Sequence, residues 1–82
     1  MTWIVYIIKC SDGSLYTGIT NNLQRRMLLH GQGKGGKYTR GRGPFRLIYK
    51  EQCKDRSFAS KREIAIKKLG HLEKLNLVKN FK

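Results

Sequence analysis

Runs of β-branched and aromatic residues predict three strands in this chain. They occupy residues 2–9 (TWIVYIIK), 15–19 (LYTGI) and 45–51 (FRLIYKE). Such side chains suit the pleated, half-buried surface of a sheet. Asp12 and Gly13, between the first two runs, favour a tight turn because glycine tolerates a positive φ. The pattern therefore predicts a β-hairpin and, later in the chain, a third strand.

Two further segments carry apolar residues at helical spacing. The first has Leu23, Met27 and His30 at i, i+4 and i+7. Either Thr20 or Asn21 is expected to cap this helix, which should end at Gly31. The second has Phe58, Ala59, Ile66 and Leu69 among its apolar positions. Ser57 is its expected cap, and Gly70 its expected end.

Residues 71–78 (HLEKLNLV) complete the pattern as a short third helix. The order β-β-α-β-α-α predicts an α+β fold of the α/β sandwich type. Its sheet should be three-stranded and mainly antiparallel, flanked by helices. The sequence has no internal repeat, so residues 1–82 are expected to form a single domain.

The net charge of the chain indicates that it binds an acidic partner. The chain has 18 Lys and Arg against 5 Asp and Glu, a net charge of +13, and residues 21–50 contain eight bases and no acid. The glycine-rich segment 31–46 is either a solvated loop or a phosphate-contacting one, and its concentrated charge favours phosphate contact. The candidate nucleic-acid-binding residues are Lys34, Lys37, Tyr38, Arg40, Arg42 and Arg46, with Tyr38 suited to stacking on a base.

Other classes of protein fit less well. The sequence has no apolar run of the roughly 20 residues that span a bilayer. It also lacks the long basic amphipathic helix of a membrane-surface protein. Cys10 and Cys53 are too few for a disulfide framework and are expected to be reduced thiols in the core, which favours a cytoplasmic location.

Glu63 is the most informative of the five carboxylates. It lies four residues after Ala59 and three before Ile66, in the stripe that should face the sheet. An inward carboxylate is costly unless it is paired or bound to a metal. Two interpretations therefore stand side by side, a metal ligand or an ion pair with Lys67 at i+4.

Tyr6 and Tyr16 lie on the two hairpin strands, on either side of the predicted turn. They could project from one face as ordinary aromatic core residues. A functional role would need a nearby cation to lower the pKa of a phenol towards use as a general base. Arg26 is the better donor of that charge, because it lies closer than Arg25 to the apolar stripe of its helix.

In combination these residues resemble the GIY-YIG nuclease superfamily, most closely its small stand-alone bacterial members. The matching segments are Val5-Tyr6-Ile7 in IVYII, Tyr16-Thr17-Gly18 in LYTGIT, Arg26 in NLQRRM, His30 at the end of that helix, and Glu63 in SKREIAIKKL. The resemblance covers about residues 2–69. The first motif lacks its glycine, and Thr17 replaces an isoleucine.

The resemblance implies metal-dependent cleavage of nucleic-acid phosphodiesters with one Mg²⁺ or Mn²⁺ ion, held by Glu63. It implies that Tyr6 or Tyr16 helps to activate water, without deciding which. Arg26 would stabilise charge on the phosphate, and His30 would position the site. Asn76 is a further candidate by spacing.

Two hypotheses follow. The first is an endonuclease acting on DNA rather than RNA, with a role in repair or recombination. Such a small domain has little surface to define a substrate, so weak activity or dependence on a protein partner is expected. The second is a non-catalytic nucleic-acid-binding module that uses the basic loop. It accounts for the charge but not for the inward Glu63 or the tyrosine and arginine set.

Overall fold

The computed structural model describes residues 2–33 and 43–79. Its elements are β1 (Trp3–Lys9), β2 (Leu15–Thr20), α1 (Leu23–Gly31), β3 (Arg46–Cys53), α2 (Arg56–Lys67) and α3 (His71–Lys79). The predicted order β-β-α-β-α-α is confirmed. Five of the predicted nucleic-acid-binding residues, Lys34, Lys37, Tyr38, Arg40 and Arg42, lie outside the described residues.

The three strands form one antiparallel sheet in the order β2-β1-β3. β1 is therefore central, which explains why its residues 5–8 are all fully buried. In the hairpin register Tyr6 pairs with Gly18, and Ile8 pairs with Tyr16. Because side chains alternate along a strand, these four residues share one face of the sheet.

The opposite face of β1 carries the hydrophobic core. Val5 and Ile7 pack there with Tyr49 of β3 and with Ala59 and Ile66 of α2. α2 contacts all three strands, so it covers this face. The helix–sheet contact removes apolar side chains of both elements from water, which favours folding.

A polar cluster also connects β3 to α2. The Arg62 guanidinium donates two hydrogen bonds to the Glu51 carboxylate, at 2.8 and 3.0 Å. The Tyr49 hydroxyl donates a third at 2.7 Å. The bond to Arg62 holds the pKa of Glu51 below its usual value, against the opposing effect of burial. Glu51 is thus committed to a structural role.

Both predicted helix caps are wrong by one or two residues. Asn22 caps α1 by accepting from the amide of Arg25 at 3.1 Å, whereas Thr20 accepts from the amide of Asn22. Asp55 caps α2 by accepting from Phe58 N at 2.8 Å. A cap satisfies an amide two or three residues further along the chain, and Asn22 and Asp55 each satisfy the third.

Three smaller expectations can be checked in the same structure. β3 begins and ends later than predicted, at Arg46 and Cys53. Phe58, one of the apolar positions of the predicted second helix, is 43% exposed. Cys10 and Cys53 are buried free thiols, as predicted. Within the described ranges, no helix is both long and apolar enough to cross a membrane.

Candidate active site

The centre of the candidate site is a hydrogen bond between two buried side chains. The Tyr6 hydroxyl lies 2.9 Å from Nε2 of His30, and both residues are fully buried. His30 comes from the last turn of α1, so this bond joins the helix to the central strand. The helical spacing of the sequence put His30 on the apolar face of α1, and the structure confirms that orientation.

Arg26, one turn earlier on α1, brings a positive charge to the same hydroxyl. Its guanidinium hydrogen-bonds to Tyr6 and also to Tyr16. Burial raises the pKa of Tyr6, and the hydrogen bond and charge of Arg26 act against that rise. The same burial, with the Arg26 charge, lowers the pKa of His30. At neutral pH both groups are therefore uncharged.

The guanidinium of Arg26 carries only donors, so the Tyr6 oxygen accepts from it. The tautomer of His30 sets the direction of the bond between Tyr6 and His30, because either group can donate when both are uncharged.

Aromatic rings enclose this pair. His30 makes edge-to-face contacts with Tyr6, Tyr16 and Phe45, with ring centroids 5.9, 5.4 and 5.9 Å away. Tyr16 itself is only partly buried. Of the two phenols, therefore, Tyr16 is the one that solvent reaches. The sequence pattern predicted Phe45 as part of a strand and did not predict its contact with His30. Its position at the end of the basic segment is the one feature of the sequence that indicates a place near the site.

Gly18 makes room for both tyrosines. A Cβ atom on this residue would lie 2.7 Å from the Tyr6 hydroxyl oxygen and 3.0 Å from a ring carbon of Tyr16. Carbon atoms do not approach that closely without displacement. The glycine in β2 is thus explained by the close backbone approach that a glycine inside a strand suggests.

Glu63 lies on α2, the helix that packs on the opposite face of the sheet. Its side chain is 21% exposed and forms an ion pair with Lys67 at 3.4 Å. Its charge also contributes, after larger causes, to the raised pKa of Tyr6. The structure contains the predicted ion pair of Glu63 with Lys67. The role of Glu63 as a metal ligand remains a prediction.

The donor set around Glu63 can be compared with what a metal would need. Among the described residues, no group of three or more His, Cys, Asp or Glu side chains could hold an ion. One carboxylate suits Mg²⁺, which keeps several waters and completes its shell with substrate phosphate oxygens. It does not suit Zn²⁺, which takes three or four protein ligands. The residues present fit a loosely held Mg²⁺ or Mn²⁺ ion.

The remaining candidates lie on the surface. Arg46 starts β3 with an exposed side chain, and Asn76 is exposed on α3. Arg25 is exposed, as expected. Arg25 and Arg26 line a surface pocket of about 270 Å³ at the start of α1. An anion entering that pocket would meet the guanidinium that contacts both tyrosines.

Known proteins supply an independent comparison. The model of the GIY-YIG catalytic domain matches residues 2–76 of this chain. A UPF0213 protein of Desulfotalea psychrophila is 56% identical over 78 residues, which is 94% of this chain and 71% of the relative. One from Oceanobacillus iheyensis is 53% identical over 74 residues, which is 90% of this chain and 86% of the relative.

A solved structure agrees with these relatives. The solution NMR structure of a UPF0213 protein from Bacillus halodurans is 46% identical and superposes with a TM-score of 0.63. The match covers 96% of this chain and 84% of that one. The matched range includes both strand motifs, Arg26, His30 and Glu63. The chain belongs to the GIY-YIG family.

Proposed function

We propose that this protein is a metal-dependent endonuclease that hydrolyses nucleic-acid phosphodiesters, with DNA preferred over RNA. The observation that carries the proposal is that Tyr6 and Tyr16 meet beside Gly18 and both hydrogen-bond to Arg26, with the Glu63 charge acting on Tyr6. A structural core has no need of a guanidinium held between two phenols. A phosphodiesterase needs a base, a cation for the phosphate and a carboxylate for the metal.

The two tyrosines divide the work by their exposure. Tyr16 is partly exposed to solvent and receives a hydrogen bond from Arg26. It is the group that takes a proton from the attacking water. Tyr6 is fully enclosed and bonded to His30, so it is a positioning residue that fixes Arg26.

Arg26 has a second task during the reaction. Its pKa is raised by its bond to Tyr6, so it stays charged at every working pH. Preorganised cations stabilise the charge that develops on a phosphate at little reorganisation cost. A metal ion held by Glu63, when bound, would polarise the phosphate and lower the pKa of a coordinated water. Binding that ion requires Lys67 to leave the carboxylate.

The test compares two glutamates of equal charge. Glu63→Gln should abolish Mg²⁺-dependent cleavage of branched, nicked or duplex DNA while binding is retained. Glu73→Gln is the matched control, because Glu73 lies on α3 and accepts a bond from the Gly70 amide. RNA substrates assayed in parallel measure the preference. Equal products from wild type and Glu63→Gln, or cleavage by neither, would refute the catalytic proposal.

The ion pair of Glu63 with Lys67 favours a second candidate. A carboxylate already neutralised by a lysine is what a non-catalytic nucleic-acid-binding module would contain. That function predicts salt-dependent binding of DNA or RNA, no cleavage with any divalent metal, and no response of Glu63 to a Mg²⁺ titration followed by NMR. A metal-dependent shift at Glu63 would favour the nuclease.

A further inference from the structure

We propose that a groove at the edge of the sheet binds a backbone phosphate of the nucleic acid, next to the candidate catalytic tyrosine. The groove is lined by Leu15, Tyr16, Thr17, Lys67 and Lys74 and has a volume of about 400 Å³. The proposal rests on the proposed function for its substrate class. It adds a binding site distant in sequence from the basic segment 31–46.

The position of the groove follows from the topology. β2 is an edge strand of the sheet, and its side chains alternate between the two faces. Tyr16 belongs to the Tyr6 face, whereas Leu15 and Thr17 belong to the α2 face. Because all three line one groove with lysines of α2 and α3, the groove wraps around the strand edge. It therefore leads directly to the exposed side of Tyr16.

The charge of the groove suits an anion. Its five lining residues include two lysines and no acid. The Lys67 ammonium lies 3.4 Å from the Glu63 carboxylate, a longer distance than the roughly 2.7–2.9 Å of a strong charged hydrogen bond. The Lys67 side chain is also 51% exposed. The ammonium of Lys67 can therefore turn from Glu63 towards a ligand. Lys74, half-buried on α3, supplies a second positive charge.

A buried hydroxyl gives the independent sign of a ligand. Thr17 is 3% exposed, and within the described part of the chain its Oγ1 atom has no hydrogen-bond partner. Buried polar atoms are nearly always satisfied, so an orphan calls for an explanation. Thr17 lines the groove together with Lys67 and Lys74, so its Oγ1 has a hydrogen bond to donate to a phosphate oxygen that the two lysines attract. A phosphate ligand would therefore explain why a threonine stands in place of the motif isoleucine at position 17.

The ligand is identified by this donor set. One hydroxyl and two ammonium groups match a tetrahedral phosphate, and Lys serves phosphate as a mobile point charge. A phosphodiester of a nucleic acid and free inorganic phosphate share that chemistry. The continuity of the groove with Tyr16 favours the phosphodiester. Inorganic phosphate is kept as a separate arm of the test.

The first experiment uses Thr17→Val, which keeps the shape and removes the hydroxyl. If Oγ1 serves a phosphate, this variant should melt at the same or a higher temperature than wild type, because an unsatisfied polar group is lost. It should also bind a fluorescent DNA duplex more weakly, as measured by anisotropy in EDTA. A lower melting temperature together with unchanged DNA affinity would overturn the role given to Thr17.

The second experiment measures the dependence of affinity on salt. Lys74→Gln should reduce the slope of log affinity against log salt by about 0.9 for duplex DNA, or roughly an eight-fold loss of affinity at about 0.1 M salt. Lys79→Gln removes the same charge from an exposed position of the same helix and should change the slope less. Equal slopes for the two variants would overturn the groove.

The outcomes separate the groove from the catalytic proposal. Loss of DNA binding in Lys74→Gln, in a protein that never cleaves, supports the groove and refutes the nuclease. Normal cleavage with wild-type salt slopes in Lys74→Gln and Thr17→Val supports the nuclease and refutes the groove as a phosphate site. A third outcome is that inorganic phosphate shifts the NMR resonance of the Thr17 amide while Lys74→Gln leaves the salt dependence of DNA affinity unchanged. The groove then binds a small anion instead of DNA, and the proposal is wrong.

Discussion

Gly18→Ala is the sharpest test of how this site is assembled. The added methyl group would lie 2.7 Å from the Tyr6 hydroxyl oxygen, 2.8 Å from ring carbon Cζ of Tyr6 and 3.0 Å from Tyr16. Tyr6 is fully buried, so its ring has no free space to enter. The variant must therefore displace the phenol that bonds to His30.

The size of the effect follows from the packing. Adding a methyl group to a well-packed interior costs about 1–3 kcal/mol, and each 1 kcal/mol lowers the melting temperature of a domain of this size by about 4–8 °C. Gly18→Ala should thus melt roughly 4–24 °C lower than wild type. Any cleavage activity should be lost, because Arg26 and His30 are both held by Tyr6.

Gly31→Ala is the matched control for this prediction. Gly31 ends α1, nothing lies within 4 Å of its added Cβ, and it is not one of the positive-φ glycines of the described chain. Alanine there should be neutral or stabilising by about 0.5–1 kcal/mol. The measurement is thermal and urea unfolding followed by circular dichroism. If Gly18→Ala melts within a degree or so of Gly31→Ala, the close contact is not a constraint on the fold.

Two other predictions concern protons at the same site. Because the pKa of folded His30 is lowered from 6.5, the unfolded chain binds the proton more readily. Its contribution to stability is therefore complete above about pH 6.5 and is lost as the pH falls towards the lowered value. Urea unfolding at several pH values should show this slope in wild type and not in His30→Gln. Tyr16→Phe should slow cleavage by about 10²–10⁴-fold, whereas Tyr6→Phe should lower the rate less; equal losses in the two variants would contradict the division of roles.

The buried phenol and imidazole also explain why this small domain tolerates polar groups in its interior. Tyr6 hydrogen-bonds to His30 and to Arg26, and the neutral forms of Tyr6 and His30 avoid the cost of burying charge. Arg26 remains partly exposed towards the pocket at the start of α1. The cluster is thus closed towards the core and open towards an incoming phosphate.

Local patterns in the sequence were enough to predict the elements and their order. β-branched runs and the Asp12-Gly13 turn produce the hairpin, and a period of two puts Tyr6 and Tyr16 on one face. Helical spacing placed Arg26 and His30 towards the sheet. The cap positions were missed, because Thr20, Asn21 and Asn22 are all chemically able to cap and only the backbone path selects one.

Contacts between distant segments were decided by the tertiary structure alone. The absence of room for a Cβ atom on Gly18, which would lie 2.7 Å from the Tyr6 hydroxyl oxygen, depends on the register of two strands. The Tyr6 to His30 bond spans 24 residues. The i+4 spacing of Glu63 and Lys67 permits an ion pair but does not require one, so the sequence did not decide which partner Glu63 has. The groove of Thr17, Lys67 and Lys74 joins three elements around a strand edge. Periodicity states which face a side chain takes, but the packing of helices on the sheet determines which other residues it meets there.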